Sequence, residues 1–105
     1  MSGNASLLHC RVVSTGHLTE ADNDRLLDLS CNYQEYGSSE WIHFTGQGYL
    51  IRLYAWPKPV LKLKEVGLSK DVRRLIVALV RRDAIDMVHF DSAGTLVEGF
   101  AVHNW

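Results

Sequence analysis

Residues 69–82 place the strongest constraint on what this chain can fold into. Val72, Leu75, Ile76, Leu79 and Val80 recur at i, i+3, i+4, i+7 and i+8, an apolar stripe at helical period. Ser69 stands where an N-cap belongs, and Lys70, Arg73, Arg74, Arg81 and Arg82 fill much of the rest of the surface. A helix of this kind must bury its stripe against another layer. The flanking sequence offers strands for that layer.

Residues 7–14 alternate, with Leu8, Cys10 and Val12 on one side and His9 and Arg11 on the other. Gly16 ends that strand. Thr19 followed by Asp22 has capping-box spacing, which predicts a helix running to about residue 31. Residues 32–39 read as a loop. Residues 41–45 and 49–55 are rich in aromatic and branched side chains, and the Gly46-Gln47-Gly48 spacer between them predicts a hairpin. Residues 60–66 fit a short helix or an extended segment, and Pro59 and Gly67 at its ends favour the helix. Residues 85–91 form a further strand, Gly94 supplies a turn residue free to take positive φ, and 95–105 returns as one last strand or as two short ones broken at Gly99.

The expected fold is therefore α+β, a two-layer sandwich. Its mainly antiparallel five-stranded sheet carries two principal helices on one face, in the order β-α-β-β-(α)-α-β-β. Residues 1–6 read as a flexible lead-in, and 7–105 as a single domain with no internal repeat or linker.

A period of two sorts the side chains of each strand. Inward go Leu8, Cys10 and Val12; Ile42 and Phe44; Tyr49, Ile51 and Leu53; Val88 and Phe90; and Val102. Outward go His9 and Arg11; Trp41 and His43; Arg52 and Tyr54; Met87, His89 and Asp91; and His103 and Trp105. Large rings and histidines gathered on one surface resemble the composition of an interface core. Trp41, His43, Arg52, Tyr54, His89, Asp91, His103 and Trp105 are the candidate binding residues.

Composition narrows the function classes. Eleven basic and twelve acidic residues leave a net charge of −1, which argues against strong non-specific nucleic-acid binding. Cys10 and Cys31 are too few for a disulfide framework or a four-cysteine metal site, and read as two small buried thiols. The first residues lack a basic, apolar secretory signal, and no run approaches a membrane span, so a cytoplasmic protein is expected. No HxH, HExxH or CxxC spacing supports a metal, no Gly-rich phosphate loop is present, and Asp91-Ser92 lacks a nucleophile elbow. Neither a catalytic residue nor a cofactor is assigned. The arginine pairs 73–74 and 81–82 read as a solvated helix face, with a local anion patch as the sharper alternative.

Two segments together carry a resemblance. They are 12–20 (Val12-Val13-Ser14-Thr15-Gly16-His17-Leu18-Thr19-Glu20), and Gly67-Leu68-Ser69 with its helix followed by His89-Phe90-Asp91-Ser92-Ala93-Gly94 and Val102-His103-Asn104-Trp105. The chain resembles a family of short bacterial proteins of unknown function found on chromosomes and on phage, plasmid or other mobile elements. That resemblance carries no catalytic residues with it. It implies an accessory protein of a bacterial mobile element.

The leading expectation is a non-catalytic protein-interaction module, a homodimer using the aromatic and histidine-bearing face. The alternative is a small-molecule binding protein or enzyme with His17, His43, His89 and Asp91 lining a pocket. A third is weak nucleic-acid docking through Arg73, Arg74, Arg81 and Arg82.

Overall fold

The computed structural model describes residues 7–31 and 41–103. The expected lead-in over 1–6, the loop over 32–39 and the last two residues, Trp105 among them, lie outside the described residues. The elements are β1 (Cys10–Ser14), a 3-10 turn (Thr15–His17), α1 (Glu20–Cys31), β2 (Ile42–Phe44), β3 (Gly48–Arg52), a 3-10 turn (Leu53–Ala55), α2 (Pro59–Glu65), α3 (Lys70–Asp83) and β4 (Met87–Asp91). The class is α+β, and the described residues form three helices and a mixed sheet of four strands in the order β1-β4-β3-β2.

The sheet is mainly antiparallel, as expected, since β2–β3 and β3–β4 are antiparallel, and it is mixed because β1 pairs parallel to β4. One expectation about the sheet needs correction. It has four strands among the described residues, because 95–103 forms no ladder. Thr95 makes one isolated bridge to Val13, and the chain then turns at Gly99, whose φ is 90°. Backbone donors that a fifth strand would give to a ladder go instead to the turn after β1. Val97 N–H donates to His17 Nε2 at 2.8 Å and His103 N–H to the Gly16 carbonyl at 2.7 Å. Val102, expected inward, is 56% exposed.

The helices form where their caps place them. Thr19 and Asp22 exchange backbone-to-side-chain hydrogen bonds at 3.0 Å each, closing the capping box of α1. Ser69 Oγ accepts from Val72 N–H at the start of α3. Pro59 opens α2, and Gly67 ends it at φ 95° with the Leu68 amide bonded back to the Leu63 carbonyl. The hairpin turns at Gly46, whose φ is 90°. Gly94 corrects its expectation: it is absent from the positive-φ residues, and a Cβ there would stand 2.4 Å from the Val13 backbone. Close approach to β1, not turn geometry, requires that glycine.

One apolar cluster holds the layers together. Leu26 and Leu29 of α1, Leu63 of α2, and Val72, Leu75, Ile76 and Leu79 of α3 meet Val13, Ile42, Tyr49, Ile51, Val88 and Phe90 of the sheet. The inward sets on β3 and β4 are those expected from alternation. β1 is reversed: Val13 is fully buried, while Cys10 is exposed and Val12 is 42% exposed. The register explains this, since Val13 stands opposite Phe90 and Arg11 opposite Val88, on the helical side. Arg11 uses that side to reach Asp83 at the end of α3, 2.9 Å away. Both cysteines are free and exposed, against the expectation of buried thiols. Trp41 is also corrected. It is 3% exposed, packs edge-on to Trp56 with ring centroids 5.5 Å apart, and belongs to the core, whereas Phe44, expected inward, is 49% exposed.

Candidate functional site

The described helices pack against one face of the sheet, and among the described residues no helix lies over the other face. The register builds that surface row by row, because directly opposed residues project to the same side. The central row is Val12, His89, Leu50 and His43, running across β1, β4, β3 and β2. At strand separations of about 4.8 Å it spans roughly 14 Å. On one flank lie Cys10, Met87 and Arg52, and on the other Ser14, Asp91 and Gly48.

Four of the expected binding residues therefore share one face: His43, Arg52, His89 and Asp91. The others do not join them. Trp41 is in the core on the opposite side. Tyr54 is exposed, but in the 3-10 turn beyond β3. His103 lies in the C-terminal segment beside α3, with Nε2 3.5 Å from the Asp71 carboxylate. Trp105 lies outside the described residues. The face is thus less aromatic than alternation alone implied. Its apolar content comes from Val12, Leu50 and Met87 instead. Leu50 follows from alternation with Ile51 inward, whereas Val12 joins this face against expectation because its apolar neighbour Val13 takes the inward side.

The chemistry of the face is mixed. His89 is half-buried, and its Nε2 is enclosed with no hydrogen-bond partner among the described residues. An enclosed imidazole nitrogen without a partner costs free energy until a donor or acceptor reaches it. Partial burial of the Cys10 thiol pushes its pKa above the ordinary thiol value, so it is a poorer nucleophile than a free cysteine at the same pH. Among the described residues no group of three or more His, Cys, Asp or Glu side chains is placed to hold a metal ion. No helix among them is long and apolar enough to cross a membrane.

His17 does not line this surface. It is 2% exposed, on the turn after β1, and both ring nitrogens are used. Nε2 accepts from Val97 N–H, so the proton sits on Nδ1, which donates to the Ala101 carbonyl at 2.8 Å. Its role is to hold the C-terminal segment onto the β1 turn. Nothing local in the sequence marks that role, since both partners lie some eighty residues away.

A family model described as "Family of unknown function (DUF5983) C-terminal domain" matches residues 10–105. No curated protein and no solved structure matches the chain.

Proposed function

The chain belongs to the DUF5983 family, and on that premise we propose that it is a non-catalytic protein-interaction module, a homodimer joined through the open face of its sheet. One observation carries the reading: Val12, Leu50 and Met87 stand with His89 on a sheet face over which no helix lies among the described residues.

The occupant favoured is a second copy, because the face is self-complementary. Arg52 marks one flank and Asp91 the other, with the apolar and histidine row between them. A two-fold axis along the central row sets the Arg52 end of one copy against the Asp91 end of the other and places the apolar rows face to face. Two-fold dimers built from one surface patch are the commonest oligomers. The proposed setting is cytoplasmic, in a bacterial accessory protein of a mobile element, as the sequence resemblance implies. Genomic neighbourhood tests that part.

Sedimentation over a range of concentrations tests the assembly. The expected species has twice the 11.9 kDa of the chain. Val12→Glu, at an exposed position, is expected to return it to the monomer while leaving the circular dichroism spectrum unchanged. A chain that stays monomeric at high concentration removes the homodimer.

The partnerless His89 Nε2 favours a second reading, in which His43, His89 and Asp91 hold a polar small molecule. Its test is a thermal-shift screen of metabolites and metal ions, since a ligand raises the melting temperature as its concentration exceeds its Kd. Shifts abolished by His89→Ala support this reading, and a screen without hits counts against it.

A further inference from the structure

A cleft of about 470 Å³ lies on the helical side of the molecule, apart from the open sheet face. One wall is the outer face of α3, where Lys70, Arg73, Arg74 and Arg81 present their charges. Between those charges the surface is apolar: Val77 and Ala78 from α3, Val60 from α2, and Phe100 from the C-terminal segment. The α3 residues fall at helical spacing on the side opposite the buried stripe.

Two features make this more than an ordinary solvated helix face. First, no carboxylate among the described residues lies within ion-pairing distance of the four cations. Asp71 lines a smaller adjoining cavity together with Arg74, and its carboxylate faces His103. Second, the charge of the chain is segregated. Eight of the eleven basic residues fall within 58–82, where only Glu65 and Asp71 oppose them, although the whole chain carries −1. The cleft therefore concentrates a local positive field in a protein that has none in bulk.

We propose that this cleft binds an acidic peptide segment of a partner protein, one with an apolar side chain set between its carboxylates. The length of the site argues against a single small anion. Lys70 to Arg81 spans roughly 16 Å along α3, so one phosphate or carboxylate meets only one end. The lining offers single-stranded nucleic acid no free ring to stack a base on, since its one aromatic side chain, Phe100, already has the Arg82 guanidinium 5.7 Å from its centroid. Val60, Val77 and Ala78 instead offer an aliphatic seat for a leucine-like side chain, with cations on either side for the flanking carboxylates. This inference does not rest on the homodimer.

Fluorescence anisotropy tests it with a fluorescein-labelled peptide carrying glutamate pairs on both sides of a leucine. Saturable binding is expected, weakening as salt rises. The double variant Arg74→Glu/Arg81→Glu should weaken it about tenfold or more. Both arginines are exposed, so the circular dichroism spectrum should not change. Arg73 is left intact because its Nε donates to the Leu68 carbonyl at 3.2 Å. Replacing the peptide leucine by serine should also weaken binding, and single-stranded DNA of equal charge should compete poorly. Val12→Glu should bind the peptide as the parent chain does. The proposal is overturned if the peptide does not bind, if the serine peptide binds equally well, if the double variant is unaffected, or if DNA binds more tightly. It is also overturned if Arg74→Glu/Arg81→Glu dissociates a dimer, which would give the cleft to a second copy.

Discussion

Asp22 joins the start of α1 to the start of α3 through Ser69. Its Oδ1 accepts from the Ser69 amide at 2.7 Å, and its Oδ2 accepts from Ser69 Oγ at 2.6 Å and from the Thr19 amide at 3.0 Å. Two helix N-termini thus converge on one carboxylate that is 2% exposed, and the positive ends of both helix dipoles stabilise its charge. Asp22→Ala leaves three donors without their acceptor and is expected to cost about 3–5 kcal/mol in urea unfolding. Asp22→Asn keeps the volume and one acceptor oxygen but turns an amide toward donors, so an intermediate loss is expected. A loss below about 1 kcal/mol for the alanine variant would mean that water replaces the carboxylate.

His17 makes a second long-range tie, and its failure should be local. His17→Phe keeps a ring of similar size while leaving the Val97 N–H and the Ala101 carbonyl without their partner. The expected cost to the segment's stability is about 2–4 kcal/mol, for two buried groups left unpaired. Native-state hydrogen exchange should show faster exchange at Val97 and His103, while Val88 in the centre of the sheet keeps its protection. Equal acceleration at all three sites would show that the C-terminal segment and the sheet unfold as one unit.

Tyr49 fixes β3 to α1 by donating to the Asn23 carbonyl at 3.2 Å and to Asn23 Oδ1 at 3.0 Å. Burial raises its pKa above the usual phenol value, and Asp24 and Cys31 raise it further. The folded state therefore favours the neutral phenol. Its contribution is fully present below the unfolded tyrosine pKa of about 10 and is lost as pH rises through the higher folded value. Stability should fall on that alkaline limb. Tyr49→Phe, which cannot ionise, should shallow the fall and remove about 1 kcal/mol at neutral pH along with the hydrogen bonds. An unchanged alkaline slope would assign the effect to other groups.

Local chemistry was legible where a short motif decides the outcome. The Thr19–Asp22 box, the Ser69 cap, the Gly46 turn and the inward sets of β3 and β4 all follow from neighbours within a few residues. Alternation failed on β1 because Val12 and Val13 are adjacent and both apolar. Only the parallel register against β4, set by residues far along the chain, decides between them. It failed at Trp41 because β2 is three residues long and its flanking ring packs on Trp56 from beyond β3. The last expected strand failed because Val97 and His103 spend their amides on the His17 turn. The site followed the same division. His43, Arg52, His89 and Asp91 share a face because β2, β3 and β4 are antiparallel neighbours. The α3 cleft was visible only as arginine pairs, since Val60 and Phe100 reach it from other elements.

Cys10 offers a reporter for the open face. It flanks the central row beside Met87, and desolvation holds its pKa above the ordinary thiol value. In a Cys31→Ser background it is the remaining thiol. Less thiolate at a given pH means slower alkylation than a free cysteine shows, and the rate should rise with pH through the raised pKa. If a second copy covers the face, alkylation should slow further as protein concentration rises through the dimer Kd, because the monomer alone presents the thiol. Adding Val12→Glu should abolish the concentration dependence and leave the slow monomer rate, since the substitution breaks the assembly without moving Cys10. Alkylation that ignores concentration while sedimentation reports a dimer would place the dimer contact elsewhere on the molecule.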